Sequence, residues 1–149
     1  MKDNWVLFPA VFIVGLLLLW FCLKSFLASV CLFLLTAGTL LMTLGTHAWL
    51  GIPLNQVSRL GPLVVMVIAL ADGIHIVSIY AQELSKGQNK IAAMIRSLQT
   101  NLRPVTLATI TTIMGFLSLN FSSSPAIYGF GNIIAIGVMW AFLLTFTLL

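Results

Sequence analysis

The chain has 149 residues, of which 60% are hydrophobic and only 7% are charged. Soluble domains carry about 25% charged residues, and disordered chains are rich in polar and charged residues, so this composition excludes both classes. Seven basic residues against three acidic ones give a formal charge of +4. In so apolar a chain, basic residues are expected to set membrane orientation rather than to bind nucleic acid.

Five apolar runs, each bounded by charged residues, Pro or Gly, predict five transmembrane helices. A helix of about 20 residues crosses the ~30 Å hydrocarbon layer of a membrane. The runs are continuous and lack the alternation of barrel strands. We therefore expect an all-α, polytopic membrane helix bundle that forms a single transmembrane domain over residues 1–149. The predicted spans cover residues 5–23, 26–50, 60–81, 102–121 and 128–149.

The segment between the third and fourth spans is more polar than the rest of the chain. It contains one acidic and three basic residues, and its apolar residues recur at helical spacing. This pattern predicts a short amphipathic helix over about residues 89–101 that lies along the membrane surface. A helix that binds a partner protein is the alternative. The apolar positions are Ile91, Ile95, Leu98 and Leu102.

The basic residues predict an orientation for these spans. With five spans, Lys24 and the four basic residues of the segment 82–103 lie on one side of the membrane, and Lys2 and Arg59 lie on the other. By the positive-inside rule, the Lys24 hairpin and the 82–103 connection are cytoplasmic.

Asp72 is the acidic residue that falls near the middle of a predicted span. A charged Asp at a helix centre costs roughly 2.5–3.5 kcal/mol on insertion, so such residues face a bundle interior or a water-filled cavity and mark ion or proton paths. His75 lies one turn further on the same face and could share a proton with Asp72. In the alternative, Asp72 only forms a hydrogen bond to a neighbouring helix, and His75 faces solvent or a carbonyl group. His47, at the outer end of the second span, is predicted to be interfacial.

Small residues in the third and fifth spans predict close helix packing. Ala69 and Gly73 are separated by four positions beside Asp72, and Gly131 and Ala135 repeat this spacing in the fifth span. Small residues at such a spacing allow helix backbones to approach one another in a membrane.

Three threonines follow one another at every third position of the fourth span, namely Thr106, Thr109 and Thr112. Their hydroxyl groups can bond across helices, or they can supply partners and water anchors beside a proton site. Both interpretations stay open at the level of the sequence.

No enzyme motif is present in the sequence. The chain lacks a nucleophile elbow, a P-loop, an HExxH helix and a Gly-rich dinucleotide loop. No His or Cys residues lie at metal-ligand spacing. The sequence therefore predicts that the protein is not an enzyme and has no metal site and no cofactor.

Five short motifs, taken in their order, resemble the resistance-nodulation-division (RND) superfamily. The closest branch is that of the MMPL-type exporters, which are related to sterol-sensing-domain proteins. The resemblance covers nearly the whole chain. The motifs are GIPLN at residues 51–55, GP at 61–62, ADGIH at 71–75, RPVTL at 103–107 and GFLSL at 115–119.

The resemblance implies that this chain is one five-helix block, equivalent to the second to sixth helices of such a transporter or to their repeat. Asp72 matches the position of the family's proton-relay acid. Some relatives carry a second acid beside it, where this chain has Gly73, and this difference puts a two-carboxylate relay in doubt. The chain is expected to be a fragment, because a porter domain and a second repeat are missing.

The function implied by the resemblance is that of the membrane part of an exporter of lipids or other hydrophobic compounds, driven by the proton-motive force. The expected partners are membrane lipids, the remaining domains or second half of the transporter, and further copies in a homo-oligomer. The expected location is a bacterial inner membrane. The alternative is a non-transporting, lipid-binding regulatory module similar to a sterol-sensing domain, and a third interpretation is a half that only supports assembly.

Overall fold

The computed structural model describes Ile13, which is helical, and residues 26–148. Over this part the chain consists of helices and connecting turns, without a β-strand. The first predicted span, residues 5–23, lies outside the described residues except for Ile13. The all-α membrane fold is confirmed for the part that is described.

Four long helices make up the described bundle, and all four are long and apolar enough to cross a membrane. Two short 3-10 turns, Ser58–Leu60 and Ser118–Phe121, precede α2 and follow α3. The helices are α1 (Phe26–Trp49), α2 (Gly61–Ser85), α3 (Lys90–Leu117) and α4 (Pro125–Leu148).

The α2–α3 connection differs from the prediction. No separate surface helix is present over residues 89–101, because these residues belong to α3, which continues through Pro104 to Leu117. The reason is tertiary packing. A buried stripe at every fourth position runs without interruption past the proline, and it fixes both halves of α3 in one helix. The buried residues are Ala93, Ser97, Asn101, Val105 and Thr109.

Local signals define the short turn that remains between α2 and α3. Gly87 has a φ of 83°, a left-handed conformation that terminates helices and favours glycine. The side chain of Asn89 then accepts a hydrogen bond of 2.7 Å from the backbone N–H of Ala92, which satisfies one of the free N–H groups at the start of α3.

Helices α2 and α4 form the centre of the bundle, since each packs against all three of the other described helices. A buried apolar cluster joins α4 to α2 and consists of Val65, Ile133, Ile134 and Val138. At Gly137 an added Cβ atom would overlap the side chain of Val65. The two backbones therefore lie close together here, as small residues permit in membranes.

Candidate functional site

Asp72 lies at the middle of α2 on the side that faces the bundle. Val65 precedes it by seven residues and Ile76 follows it by four, so the three residues share one helix face. Both flanking residues are 0% exposed, whereas Asp72 is half-buried. The carboxyl group is thus placed on a core-facing stripe, at a point where the described bundle does not close completely over it.

His75 is the ionisable group that interacts electrostatically with Asp72, and its own side chain is exposed. Within residues 26–148, the carboxyl group of Asp72 accepts no hydrogen bond and forms no salt bridge. The ion pair found in this part of the chain joins Lys86 to Glu83. Asp72 is therefore not held in a salt bridge by a Lys or Arg side chain among the described residues.

In the described part of the chain, the three threonines of α3 form no hydrogen bond with the Asp72 side chain. Thr109 is buried, and Thr106 and Thr112 are half-buried. The hydroxyl of Thr106 donates to the carbonyl oxygen of Leu102 at 2.6 Å, within its own helix. The described contacts thus connect the Thr106 hydroxyl to its own backbone and not to the carboxyl group.

Ala69 and Gly73 lie in the contact between α2 and its neighbours. Ala69 is fully buried in a cluster with Leu35 of α1 and Ala141 of α4. A Cβ atom added at Gly73 would overlap the side chain of Leu32. The residues on either side of Asp72 along α2 thus bring α1 to close range of the helix that carries the acid.

Gly131 and Ala135 lie on buried positions of α4. A Cβ atom added at Gly131 would overlap the backbone carbonyl oxygen of Phe116 in α3. Since that neighbour is backbone, the close approach of α3 and α4 at this point depends on the absence of a side chain.

A polar link between α2 and α3 was missed by the sequence analysis. The hydroxyl of buried Ser97 donates to the carbonyl oxygen of Ile76 at 2.5 Å. The amide of Asn101 donates to the carbonyl oxygens of Ser97 at 3.0 Å and of His75 at 3.5 Å. The signal was the spacing of Ala93, Ser97 and Asn101, which places small and polar residues on one helix face.

A row of buried polar residues on α1 was also missed. Thr36, Thr39 and Thr43 are each 0% exposed, and His47 is 1% exposed. His47, predicted to be interfacial at the outer end of the span, has a buried side chain, because a spacing of four from Thr43 places it on the buried face. The three hydroxyl groups donate to backbone carbonyls of their own helix.

Two polar atoms in this interior have no hydrogen-bond partner among the described residues, Nε2 of His47 and Oγ1 of Thr145. Unpaired buried polar atoms are uncommon in proteins, because each carries a desolvation cost. The α1 row and Thr145 of α4 are thus buried polar groups within the bundle.

The GIPLN motif ends in a structural residue, Asn55, at the opposite end of the bundle from the α2–α3 turn. Its Oδ1 accepts from the backbone N–H groups of Val57 and Ser58 at 3.0 and 2.8 Å. Its Nδ2 donates to the carbonyl oxygen of Pro125 at 3.2 Å. This side chain therefore connects the start of α2 to the start of α4.

Comparison with known proteins gives a family and one curated relative. The sequence model of the MMPL family matches residues 2–149, which confirms the resemblance found in the motifs. The chain is 25% identical over 150 residues to the protein named "Putative membrane protein MJ1562" of Methanocaldococcus jannaschii. The alignment covers 100% of this chain and 39% of that relative, so the chain spans well under half of its length. No solved structure is significantly similar to the chain.

Proposed function

Because the chain belongs to the MMPL family, we propose that it forms the proton-translocating membrane block of an RND-type exporter. The cargo class that we propose is lipids or other hydrophobic compounds. The observation that carries this proposal is the placement of Asp72, an acid at the middle of an apolar helix, on a core-facing stripe and without a salt-bridge partner within residues 26–148.

The proposed mechanism uses the two protonation states of Asp72. The charged carboxylate demands polar surroundings, whereas the neutral acid tolerates apolar ones. Protonation therefore changes which arrangement of neighbouring helices is favoured, and the helices shift accordingly. A proton that moves down the membrane potential supplies about 2.3 kcal/mol per 100 mV, which is enough to bias such an equilibrium. His75 is the second group of the relay in this proposal.

The link from Ser97 and Asn101 to α2 gives this shift a route to the rest of the bundle. These side chains bond the carbonyl oxygens of His75 and Ile76, which lie within one turn of Asp72. A displacement of that turn would therefore move α3 with it. In the proposed orientation, the end of α3 at Lys90 faces the cytoplasm, in line with the positive-inside rule.

The proposal is tested by transport measurements on the complete protein carrying Asp72→Asn. Asparagine has nearly the same size but cannot take part in proton exchange, so proton-driven export should fall to background at normal expression. Glu83→Gln is the matched control, since Glu83 lies about three turns from Asp72, near the end of α2, in an ion pair with Lys86. Export by the Asp72→Asn variant at the level of the control would refute the relay assignment.

The same variant separates the transporter from the regulatory alternative. A lipid-binding module that regulates a partner does not need a titrating acid. If Asp72→Asn kept a lipid-dependent effect on a partner protein while no export was found for either form, the sterol-sensing-like function would replace the proposed one.

A further inference from the structure

Helix α3 is longer than a membrane crossing requires. Its 28 residues extend over about 42 Å at 1.5 Å per residue, whereas the hydrocarbon layer is ~30 Å thick. With the 3-10 turn that follows it, the helical run from Lys90 to Phe121 has 32 residues. Since about 20 residues cross the layer, about 12 lie outside it, and Leu102 and Arg103 lie at its edge. The polar end of the helix is the one at Lys90, beside the polar end of α2, so the excess length lies among the lipid headgroups on that side.

Two opposite faces of this part of α3 have different surroundings. One face packs against α2 through the buried residues Ala93 and Ser97. The other face is uncovered, and its large apolar side chains form one stripe at spacings of four and seven residues. Ile91, Ile95 and Leu102 are 73%, 50% and 47% exposed.

Two arginines lie beside this apolar stripe, and a lysine lies at the end of the helix. Arg96 and Arg103 are seven residues apart and thus lie on the same side of the helix, whereas Lys90 is the first residue of the helix and lies at its headgroup end. All three are exposed. No acidic residue follows Glu83 in the sequence, and Glu83 is itself paired with Lys86 at 2.6 Å. The three cations therefore have no ion-pair partner in the described part of the chain.

We propose that this surface, formed by Ile91, Ile95 and Leu102 with Arg96 and Arg103 beside them and Lys90 at the end of the helix, binds the anionic headgroups of membrane phospholipids. The charge complementarity is that of unpaired cations with lipid phosphates. The apolar stripe takes up the boundary between headgroups and acyl chains, as amphipathic helices do. A lipid fits better than a protein segment, because the membrane-crossing half of the same helix also has exposed apolar side chains, among them Leu107 and Ile110.

The strength of the expected preference follows from the number of cations. Each basic residue near an anionic lipid surface contributes about a five-fold gain in affinity. Three of them predict that an anionic lipid binds about a hundred-fold more tightly than a zwitterionic lipid with the same acyl chains. This inference does not depend on proton coupling or on export.

The test uses the complete purified protein, titrated with dioctanoyl phosphatidylglycerol and, in parallel, with dioctanoyl phosphatidylcholine, with bound lipid counted by native mass spectrometry. The double substitution Arg96→Gln and Arg103→Gln should reduce the preference for phosphatidylglycerol to about five-fold and leave phosphatidylcholine binding unchanged. Arg59→Gln is the matched control, because Arg59 is an exposed cation at the opposite end of the bundle. The preference of the Arg59→Gln variant for phosphatidylglycerol should equal that of the unmodified protein.

The double substitution Arg96→Lys and Arg103→Lys controls for misfolding. It keeps both charges and should keep the preference for phosphatidylglycerol. The proposal is overturned if the unmodified protein binds both lipids equally, in which case an acidic protein segment becomes the better occupant. It is also overturned if the Gln variant keeps the full preference, or if Arg59→Gln loses it to the same extent.

Discussion

The hydroxyl of Ser97 donates a hydrogen bond of 2.5 Å to the carbonyl oxygen of Ile76, and Ile76 lies four residues after Asp72 on the same face of α2. One turn further along α3, the amide of Asn101 donates to the carbonyl oxygen of His75. Helices α2 and α3 are therefore joined by side-chain hydrogen bonds, in addition to packing, within one turn of the acid. We expect these two helices to move together.

Substitution of Ser97 by Ala should weaken this junction. The buried carbonyl oxygen of Ile76 loses a partner, so we expect the free energy of unfolding to fall by about 0.5–1.5 kcal/mol. Thr100→Ala is the matched control, because the exposed Thr100 hydroxyl bonds only the carbonyl oxygen of Arg96 in its own helix. Unfolding of the purified protein by SDS titration measures both values. Equal stability of the Ser97 and Thr100 variants would show that the interhelical bond contributes nothing.

The stability of three glycine-to-alanine variants should depend on which atoms the new methyl group contacts. Gly115 has no atom within 4 Å of an added Cβ, Gly73 meets the end of the Leu32 side chain, and Gly131 meets the backbone carbonyl of Phe116. Gly115→Ala should leave stability unchanged or raise it by up to ~1 kcal/mol. Gly73→Ala should cost about 1–3 kcal/mol, and Gly131→Ala should cost more, because backbone cannot move aside as a side chain can.

Melting temperatures of the three alanine variants test this order directly. Gly115→Ala serves as the internal reference, since it makes the same chemical change in a helix without a contact. If Gly131→Ala were as stable as Gly115→Ala, the close approach of α3 and α4 in this structure would be contradicted.

The membrane helices could be predicted from the sequence because span length and apolarity are local properties. The boundaries of α3 could not be predicted from the sequence. Residues 89–101 are polar on average, and Pro104 suits the first turn of a helix, so a break was predicted between a surface helix and a span. In the structure Ala93, Ser97, Asn101 and Val105 form a buried stripe along one side of α3. The packing of this stripe in the bundle outweighs both local signals.

The position of Asp72 was predictable, but its surroundings were not. An acid at the middle of an apolar run is visible in the sequence, whereas its neighbours come from helices that are distant in the chain. His47 shows the same limit. Its place at the end of α1 suggested an interfacial side chain, and only the packing of α1 shows that it is buried with Thr39 and Thr43.

Asn55→Ala should loosen the connection between the starts of α2 and α4. The substitution removes the acceptor of two backbone N–H groups and the donor to the carbonyl oxygen of Pro125. Because several polar groups lose their partners at once, the free energy of unfolding should fall by about 1–3 kcal/mol, which a lower melting temperature would show. Limited proteolysis should cut faster near Val57. Gln56→Ala, at an exposed neighbouring position, should show neither effect. Unchanged proteolysis in the Asn55 variant would contradict its role as a connector.

Thr145→Val should not lower the free energy of unfolding as Ser97→Ala does, although both substitutions remove a buried hydroxyl. The Thr145 side chain is 0% exposed, and its Oγ1 has no hydrogen-bond partner among the described residues. Valine has nearly the same shape, so the substitution removes an unpaired polar atom without leaving a cavity. We expect the free energy of unfolding to stay constant or to rise by up to ~1 kcal/mol, measured by the same SDS titration. Thr39→Val is the comparison, because that hydroxyl donates to the carbonyl oxygen of Leu35 at 2.8 Å and its loss should not stabilise the protein. A clear loss of stability in Thr145→Val would mean that Oγ1 is bonded in the folded protein, and the polar interior of the bundle would then have to contain a partner such as a water molecule at this point.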